Sequence, residues 1–266
     1  MTVPRDSIRL EGDEEGPRLV VSRTGEECTD RMLAFCRGRI EELGQHNLSG
    51  FILKKNSPSC GVHRLKIYKG NSVVSNRGRG FFAAFLIRHF PFLPLEEEGR
   101  LNAPEIRENF LERVFCYRRW LDFLGGSPSL GRLVEFHTTF KLLMMAHSPS
   151  VYREMGGLVA GGKKLEFSAL LSLYGSLFMK GLGMHATVSK NTNVLQHIMG
   201  YFKKQLSPDE KSELLELIEG YHKRQLPLIV PVTMLRHYVR KYDQQYLKSQ
   251  VYLSPHPSEL MLRNHV

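Results

Sequence analysis

A single cysteine in a turn containing glycine and proline constrains this chain more than any other feature. The apolar run GFIL at residues 50–53 is followed by SPSCGV at residues 57–62. This order is typical of a buried parallel strand that ends in a turn, where open α/β sheets bind their ligands. Gly61 allows a sharp bend, and Pro58 stiffens the approach to it. The Cys60 thiolate is a candidate nucleophile or metal ligand, and the alternative is a buried structural cysteine.

The composition is that of a cytoplasmic globular protein. Of the 266 residues, 42% are hydrophobic and 24% are charged. We find no apolar run near the ~20 residues of a membrane span and no signal peptide. The four cysteines form no CxxC pair, which argues against a disulfide framework and against a zinc knuckle. A reducing cytoplasm is therefore the expected setting.

The first 125 residues predict an α/β domain. Residues 1–17 suggest an irregular start, and a basic loop at 76–80 precedes a helix whose N-terminus is a candidate anion site. The alternation of strands and helices fits a small parallel sheet with right-handed crossovers. The predicted strands are 19–21, 50–54, 65–68 and 92–95, and the predicted helices are 29–45, 81–89 and 104–124.

The sequence GGSPS at residues 125–129 predicts a linker, after which the pattern is helical almost throughout. We therefore place one domain at 1–125 and a second, all-α domain at 126–266, and expect the second to fold alone. The motif SPDE at 207–210 predicts a capping box with proline at the first helical position. The predicted helices are 130–146, 149–161, 165–182, 187–206, 208–223 and 231–249.

The helical half carries most of the net positive charge. Residues 1–125 hold 20 Lys and Arg against 17 Asp and Glu, whereas residues 126–266 hold 17 against 10. An anionic partner such as RNA, DNA or a nucleotide follows as a hypothesis. The alternative is a basic protein whose charge binds nothing in particular.

Two basic segments are the candidate phosphate-binding groups. Arg236, Arg240 and Lys241 cluster on one predicted helix, and Lys203 and Lys204 follow the aromatic pair at 201–202. Cationic groups interleaved with aromatic rings suit single-stranded nucleic acid. The alternative is a solvated helix face that is paired with acidic residues at 216 or 219.

Eight of the eleven histidines lie in the helical half. His137, His147, His197 and His237 are candidates for a polar pocket that recognises a base or a phosphate. Histidines that cap helix ends or bond to carbonyl groups are the alternative. No HxxxH or HExxH pair occurs, so a zinc site has no local support.

Residues 53–62, LKKNSPSCGV, resemble the signature of the thiouracil desulfidase family, and the similarity extends over roughly residues 3–125. The resemblance implies a small α/β domain that removes sulfur from thiolated nucleobases by means of a 4Fe–4S cluster. It implies that Cys60 is a cluster ligand and that Ser57 and Ser59 face the cluster or the substrate.

The second half resembles the helical domain of unknown function that is typified by the bacterial YbgA proteins. The two domains often occur fused in this order. The resemblance implies that the helical half binds or positions the substrate. It rests on the motifs at 132–137, 141–149, 193–202, 226–231, 235–240, 252–257 and 262–265.

The chain departs from the desulfidase pattern in its upstream ligands. The family uses three cysteines, and the turns that carry the first two are absent, since residues 1–5 resemble the segment just after the second turn. Three explanations for the absence of these turns are open: the chain is a fragment, its start codon was assigned too late, or this paralogue has lost the cluster. We expect this chain as written to hold no stable cluster and to be inactive as a desulfurase. The alternative function is a non-enzymatic module that binds nucleic acid or a partner protein.

Overall fold

The computed structural model describes residues 6–265, so the resemblance drawn on residues 1–5 lies outside the described residues. The chain forms two compact units, which divide between Phe110 and Leu111. The α/β character of the first unit and the helical character of the second confirm the predicted fold class. No helix in the described part of the chain is long and apolar enough to cross a membrane.

The first unit contains two small sheets. Its elements are β1 (Ile8–Glu11), β2 (Arg18–Val21), α1 (Thr29–Gly44), β3 (Phe51–Leu53), β4 (Leu65–Lys69), β5 (Ser72–Gly78), α2 (Phe81–His89) and β6 (Leu95–Glu97). One sheet has the order β2-β1-β4-β5, in which β1 and β4 are parallel and the outer pairs are antiparallel. The other sheet is the parallel pair β3-β6.

Three local predictions in this unit were wrong. The segment 1–17 contains β1, which pairs with β2 through Leu10 opposite Leu19, and both of these side chains are buried. The loop predicted at 76–80 is in part the end of β5, since Gly78 pairs with Leu65. The strand predicted at 92–95 begins at residue 95 instead. These strands are only three to seven residues long, and such short segments show too little alternation of polar and apolar residues to be recognised in the sequence.

The second unit is built from helices. They are α3 (Pro104–Gly125), α4 (Leu130–Thr139), α5 (Lys141–His147), α6 (Pro149–Ala160), α7 (Phe167–Leu182), α8 (Val188–Met199), α9 (Pro208–His222), α10 (Ile229–Lys241) and α11 (Gln245–Lys248). The capping box at the start of α9 is confirmed, because Ser207 and Glu210 each accept a hydrogen bond from the other's backbone N–H. The helix predicted at 130–146 is broken at Phe140 into α4 and α5.

The core of this unit forms around Trp120 on α3. Its indole contacts Phe123 at 5.2 Å, Phe136 at 5.5 Å and Tyr174 at 5.5 Å between ring centroids. A Cβ added at Gly175 would lie 3.1 Å from the indole, so α7 approaches the ring closely. The division between the compact units falls inside α3, upstream of the GGSPS segment at 125–129.

Candidate functional site

The cysteine turn lies at the carboxyl ends of two paired parallel strands. Phe51, Ile52 and Leu53 of β3 pair in register with residues 95–97 of β6. Ser57 to Gly61 follow β3 directly, and the Ser57 carbonyl accepts hydrogen bonds from the backbone N–H groups of residues 60 and 61. The parallel pairing and the cysteine turn are confirmed, whereas the expected burial of the strand is not, because Ile52 is 54% exposed.

The two predicted hydroxyl groups and the thiol are connected. Ser57 Oγ lies 2.9 Å from Ser59 Oγ, which lies 3.3 Å from Cys60 Sγ. The Cys60 backbone N–H also donates to Ser57 Oγ at 3.3 Å. All three residues are half-buried. The structure therefore brings these predicted site residues together as one polar chain that ends at the sulfur.

The start of α2 is not a free anion site. The Pro58 carbonyl accepts a hydrogen bond from the Phe81 N–H at 3.3 Å, and the Ser59 carbonyl accepts one from Phe82 at 2.8 Å. A Cβ added at Gly80 would lie 2.4 Å from the Ser59 carbonyl oxygen, so only glycine fits there. The cysteine turn thus occupies the helix N-terminus that the sequence suggested for an anion.

Two consecutive carboxylates at the end of β6 hold the opposite side of the turn. Glu97 is 1% exposed, and its Oε1 accepts hydrogen bonds from the backbone of Val62 at 2.7 Å and His63 at 3.0 Å. Glu98 Oε2 accepts one from the Lys55 backbone at 2.7 Å. These two glutamates were not among the predicted site residues, although the sequence shows three consecutive glutamates at 96–98 after an apolar segment.

The four predicted histidines do not form a common pocket. His147 is 1% exposed, and His137 is half-buried and stacks on Tyr152 at 4.9 Å between ring centroids. His197 and His237 are exposed on different helices. Burial lowers the pKa of His137. The pKa of His197 is lowered by burial and by a nearby lysine.

His147 belongs instead to a buried ionic network. Its Nδ1 donates to the Met184 carbonyl at 2.6 Å, and its Nε2 lies 3.4 Å from Glu112 Oε2. Glu112 Oε1 accepts a hydrogen bond from Arg263 Nη2 at 3.1 Å, and Arg263 Nη1 donates to the Tyr252 carbonyl at 2.8 Å. Burial acts to raise the pKa of Glu112, but the Arg263 guanidinium and then His147 hold it at about 2. His147 thus bonds to a carbonyl group inside the core, which is the alternative to a binding role that was given for the histidines.

The three cations predicted on one face of α10 do not share one environment. Lys241 Nζ lies 2.6 Å from Glu210 Oε1, so its acidic partner is on α9 but is neither of the residues considered. Arg236 and Arg240 are exposed and form no ion pair with the described residues. Arg236 lines a cavity between α10 and the C-terminal segment. Two of the three predicted cations on α10 therefore remain available to a ligand.

In the second basic segment, the two lysines are exposed as expected, but only one of the two neighbouring aromatic rings reaches the surface. Lys203 and Lys204 are exposed, and neither forms an ion pair within residues 6–265. Phe202 is 0% exposed and therefore cannot stack on a base. The adjacent Tyr201 is half-buried and stacks on Tyr246 at 5.4 Å with an interplanar angle of 18°.

A cluster of half-buried aromatic side chains surrounds Tyr201. We name Tyr152, Tyr201 and Tyr246 the tyrosine patch, together with the His137 and His197 rings that contact it. Burial raises the pKa of Tyr246, and the proximity of the other two tyrosines adds to this effect. Sequence analysis missed residues 152 and 246, because their positions are distant from 201 along the chain.

Comparison with known families divides the chain in the same way. Residues 1–98 match the model of 2-thiouracil desulfurase, and residues 141–257 match that of the protein of unknown function (DUF1722). The chain joins a desulfurase-like region to a DUF1722-like region. This confirms both resemblances and their order. The chain is 27% identical over 165 residues to "Uncharacterized protein YbgA" of Escherichia coli (strain K12). The aligned region covers 62% of this chain and 98% of that protein. No solved structure matches the chain significantly.

The desulfurase-like region does not fit a cluster held by three cysteines. Cys60 has a second thiol in its apolar cluster, Cys36, which is 0% exposed. Burial raises the pKa of Cys36, and the neighbouring Cys60 adds to the effect. No group of three His, Cys, Asp or Glu side chains suited to a metal occurs among residues 6–265. The described residues therefore offer Cys60 with hydroxyl neighbours but no set of three thiolates.

Proposed function

We propose that this chain has a sulfur-related function centred on Cys60, and that its substrate class is a thiolated nucleobase or nucleotide. The observation that supports it is the polar chain from Ser57 through Ser59 to Cys60 at the carboxyl ends of β3 and β6. Ligand sites in α/β proteins occur at this position. In the desulfurase family, the resemblance assigns sulfur removal to a 4Fe–4S cluster. The described residues do not fit that cluster, so we derive no step through it.

Anaerobic reconstitution with iron and sulfide tests the proposal. We expect the chain as written to retain far fewer than the about four irons of a complete cubane and to leave 2-thiouracil unchanged. We expect 2-thiouracil to protect the Cys60 thiol from alkylation, with Cys28→Ser as the control variant. Iron binding near four per chain with sulfide release would refute the expected inactivity. Alkylation of Cys60 that 2-thiouracil does not slow would refute the site.

A second function is favoured by the tyrosine patch. We propose that the helical unit binds single-stranded RNA. Tyr201 and Tyr246 are half-buried and stack on each other, and the exposed Lys203 and Lys204 follow Tyr201 after one intervening residue. Bases stack on aromatic side chains with about 1–3 kcal/mol each, and phosphate contacts make the affinity depend on salt.

Fluorescence anisotropy with a short single-stranded RNA tests the second function. Tyr201→Ala should weaken binding about tenfold. Tyr201→Phe is the matched control, since it keeps the ring. Replacing Lys203 and Lys204 together with alanine should reduce the salt slope by about two. The double variant Arg236→Ala and Arg240→Ala should weaken binding several-fold. Binding that is insensitive to salt or to loss of the Tyr201 ring would exclude RNA, and a partner protein would then be the remaining candidate.

A further inference from the structure

A small cavity lies between α10 and the C-terminal segment. Its volume is about 260 Å³, which lies just below the about 300–1,000 Å³ of sites for drug-sized ligands. The cavity therefore suits a small group. Its polar lining comes from both sides, and consists of Thr233, Arg236, Ser254, His256, Ser258, Arg263 and Asn264.

His256 is one of the lining residues, and one of its ring nitrogens has no hydrogen-bond partner among the described residues. Its Nδ1 lies 3.1 Å from the Pro257 carbonyl, which can only accept, so Nδ1 carries the proton. In the neutral ring, Nε2 is then an acceptor. This atom is buried and has no hydrogen-bond partner among the described residues. A buried acceptor without a partner costs about 1–3 kcal/mol, which a ligand that donates a hydrogen bond would recover.

The charges around His256 favour an anion. Arg263 and Arg119 lie close enough to act on the ring, and Glu112 is the acidic group that opposes them. Glu112 is already paired with Arg263 and His147. Arg119 is held by the carbonyls of residues 254 and 255. Arg236 lines the same cavity and forms no ion pair with the described residues, so one cationic side chain is left to bind a ligand.

We propose that this cavity binds a phosphate monoester group, with Arg236 donating to its oxygens and His256 Nε2 sharing a proton with it. The site does not include the tyrosine patch. It shares Arg236 with the basic residues tested for RNA binding, whereas Tyr201, Lys203 and Lys204 belong to the RNA proposal alone. Arginine is well suited to phosphate because its planar fork donates two parallel hydrogen bonds.

The single proton between ligand and ring discriminates among anions. A phosphate monoester has a second pKa near 6, so its monoanion carries an O–H that can donate to Nε2. A phosphodiester has no such proton, and sulfate has none near neutral pH. Binding to those ions would require protonation of His256, whose pKa is lowered chiefly by burial. The site should therefore prefer phosphate monoesters, and its affinity should fall as the pH rises above about 6, where the monoanion loses its proton.

Isothermal titration of the full chain with inorganic phosphate and methyl phosphate tests this site. Arg236→Gln should lower the affinity about tenfold or more, because a hydrogen bond to a charged group is lost. His256→Phe should weaken binding and flatten its pH dependence. Lys211→Gln removes the same charge from an exposed position on α9, outside the cavity, and should leave phosphate binding unchanged.

The outcomes separate a built site from general charge attraction. Saturable binding of one phosphate per chain that is lost in Arg236→Gln, with weaker binding of sulfate and dimethyl phosphate, supports the proposal. Absence of binding, equal binding of all these anions, or unchanged affinity in Arg236→Gln overturns it. Arg236 is exposed, so this variant should keep the thermal transition of the parent even if His256→Phe does not fold.

Discussion

Replacing Glu112 with glutamine should destabilise the helical unit by about 3 kcal/mol. Burial acts to raise the pKa of this carboxyl, but Arg263 and His147 lower it from 4.5 to about 2. Each pKa unit is worth about 1.4 kcal/mol of folding free energy. The resulting figure agrees with the about 3–5 kcal/mol that follows from removing one partner of a buried ion pair. Arg263 is 5% exposed, so in the variant its charge would stay buried without the carboxylate.

The sign of the pH dependence follows from the lowered pKa. The pKa of Glu112 is lower in the folded protein than in the unfolded chain, so its stabilisation is present above about pH 4.5. It is lost as the pH falls toward 2. The difference in unfolding free energy between the parent and Glu112→Gln should therefore shrink between pH 5 and pH 3.

Urea denaturation followed by tryptophan fluorescence measures this difference. Trp120 is the only tryptophan of the chain and is buried in the helical unit, so its signal reports that unit. Glu219→Gln is the control, since it breaks only an exposed pair with Lys223 and should change little. Combining Glu112→Leu with Arg263→Met should recover part of the loss. A Glu112→Gln loss no larger than that of the control, or one that does not change with pH, would refute the reasoning.

Two further predictions concern the cysteine turn and the extent of the helical unit. Gly80→Ala should destabilise the first unit by about 1–3 kcal/mol, because its Cβ would overlap the Ser59 carbonyl. Gly38→Ala on α1, which meets no atom within 4 Å, should instead stabilise it by about 0.5–1 kcal/mol in thermal denaturation. A fragment of residues 104–266 should unfold cooperatively by circular dichroism. The fragment 126–266, which the sequence alone suggested would fold by itself, should not, since it lacks the α3 side chains of the core. Equal cooperativity of the two fragments would contradict this.

The sequence predicted those elements whose signals are local. The capping box of α9 depends on Ser207 and Glu210, which are three residues apart, and it forms as expected. The cysteine turn is equally local, because Pro58, Cys60 and Gly61 follow directly after a short apolar strand. In both places, neighbouring residues determine the backbone conformation.

The break between α4 and α5 could not be predicted because its partner is distant. Gln250 is 2% exposed, and its side chain accepts a hydrogen bond from the Leu142 N–H at 3.3 Å and donates to the Thr138 carbonyl at 2.8 Å. These bonds satisfy backbone groups that a continuous helix would pair internally. The apolar periodicity continues through Phe140, so the local pattern predicts a single helix.

The candidate sites show the same difference. The residues Ser57, Ser59 and Cys60 are adjacent in sequence and were identified, whereas the tyrosine patch combines α6, the segment after α8, and α11. The periodicity of a basic helix could not distinguish Lys241, which pairs with Glu210, from Arg236, which lines a cavity. Only the tertiary contacts of the helix separate these roles.

The C-terminal segment has a consequence for synthesis on the ribosome. Gln250 contacts a residue 108 positions earlier, and Arg263 contacts one 151 positions earlier. Contacts this distant in sequence close late, because the loop between them must be ordered first. The first unit can complete its fold while the remainder is still being translated. The backbone groups at the break between α4 and α5 stay without their Gln250 partner until that residue has emerged from the ribosome. During that interval the helical unit depends most on protection from aggregation.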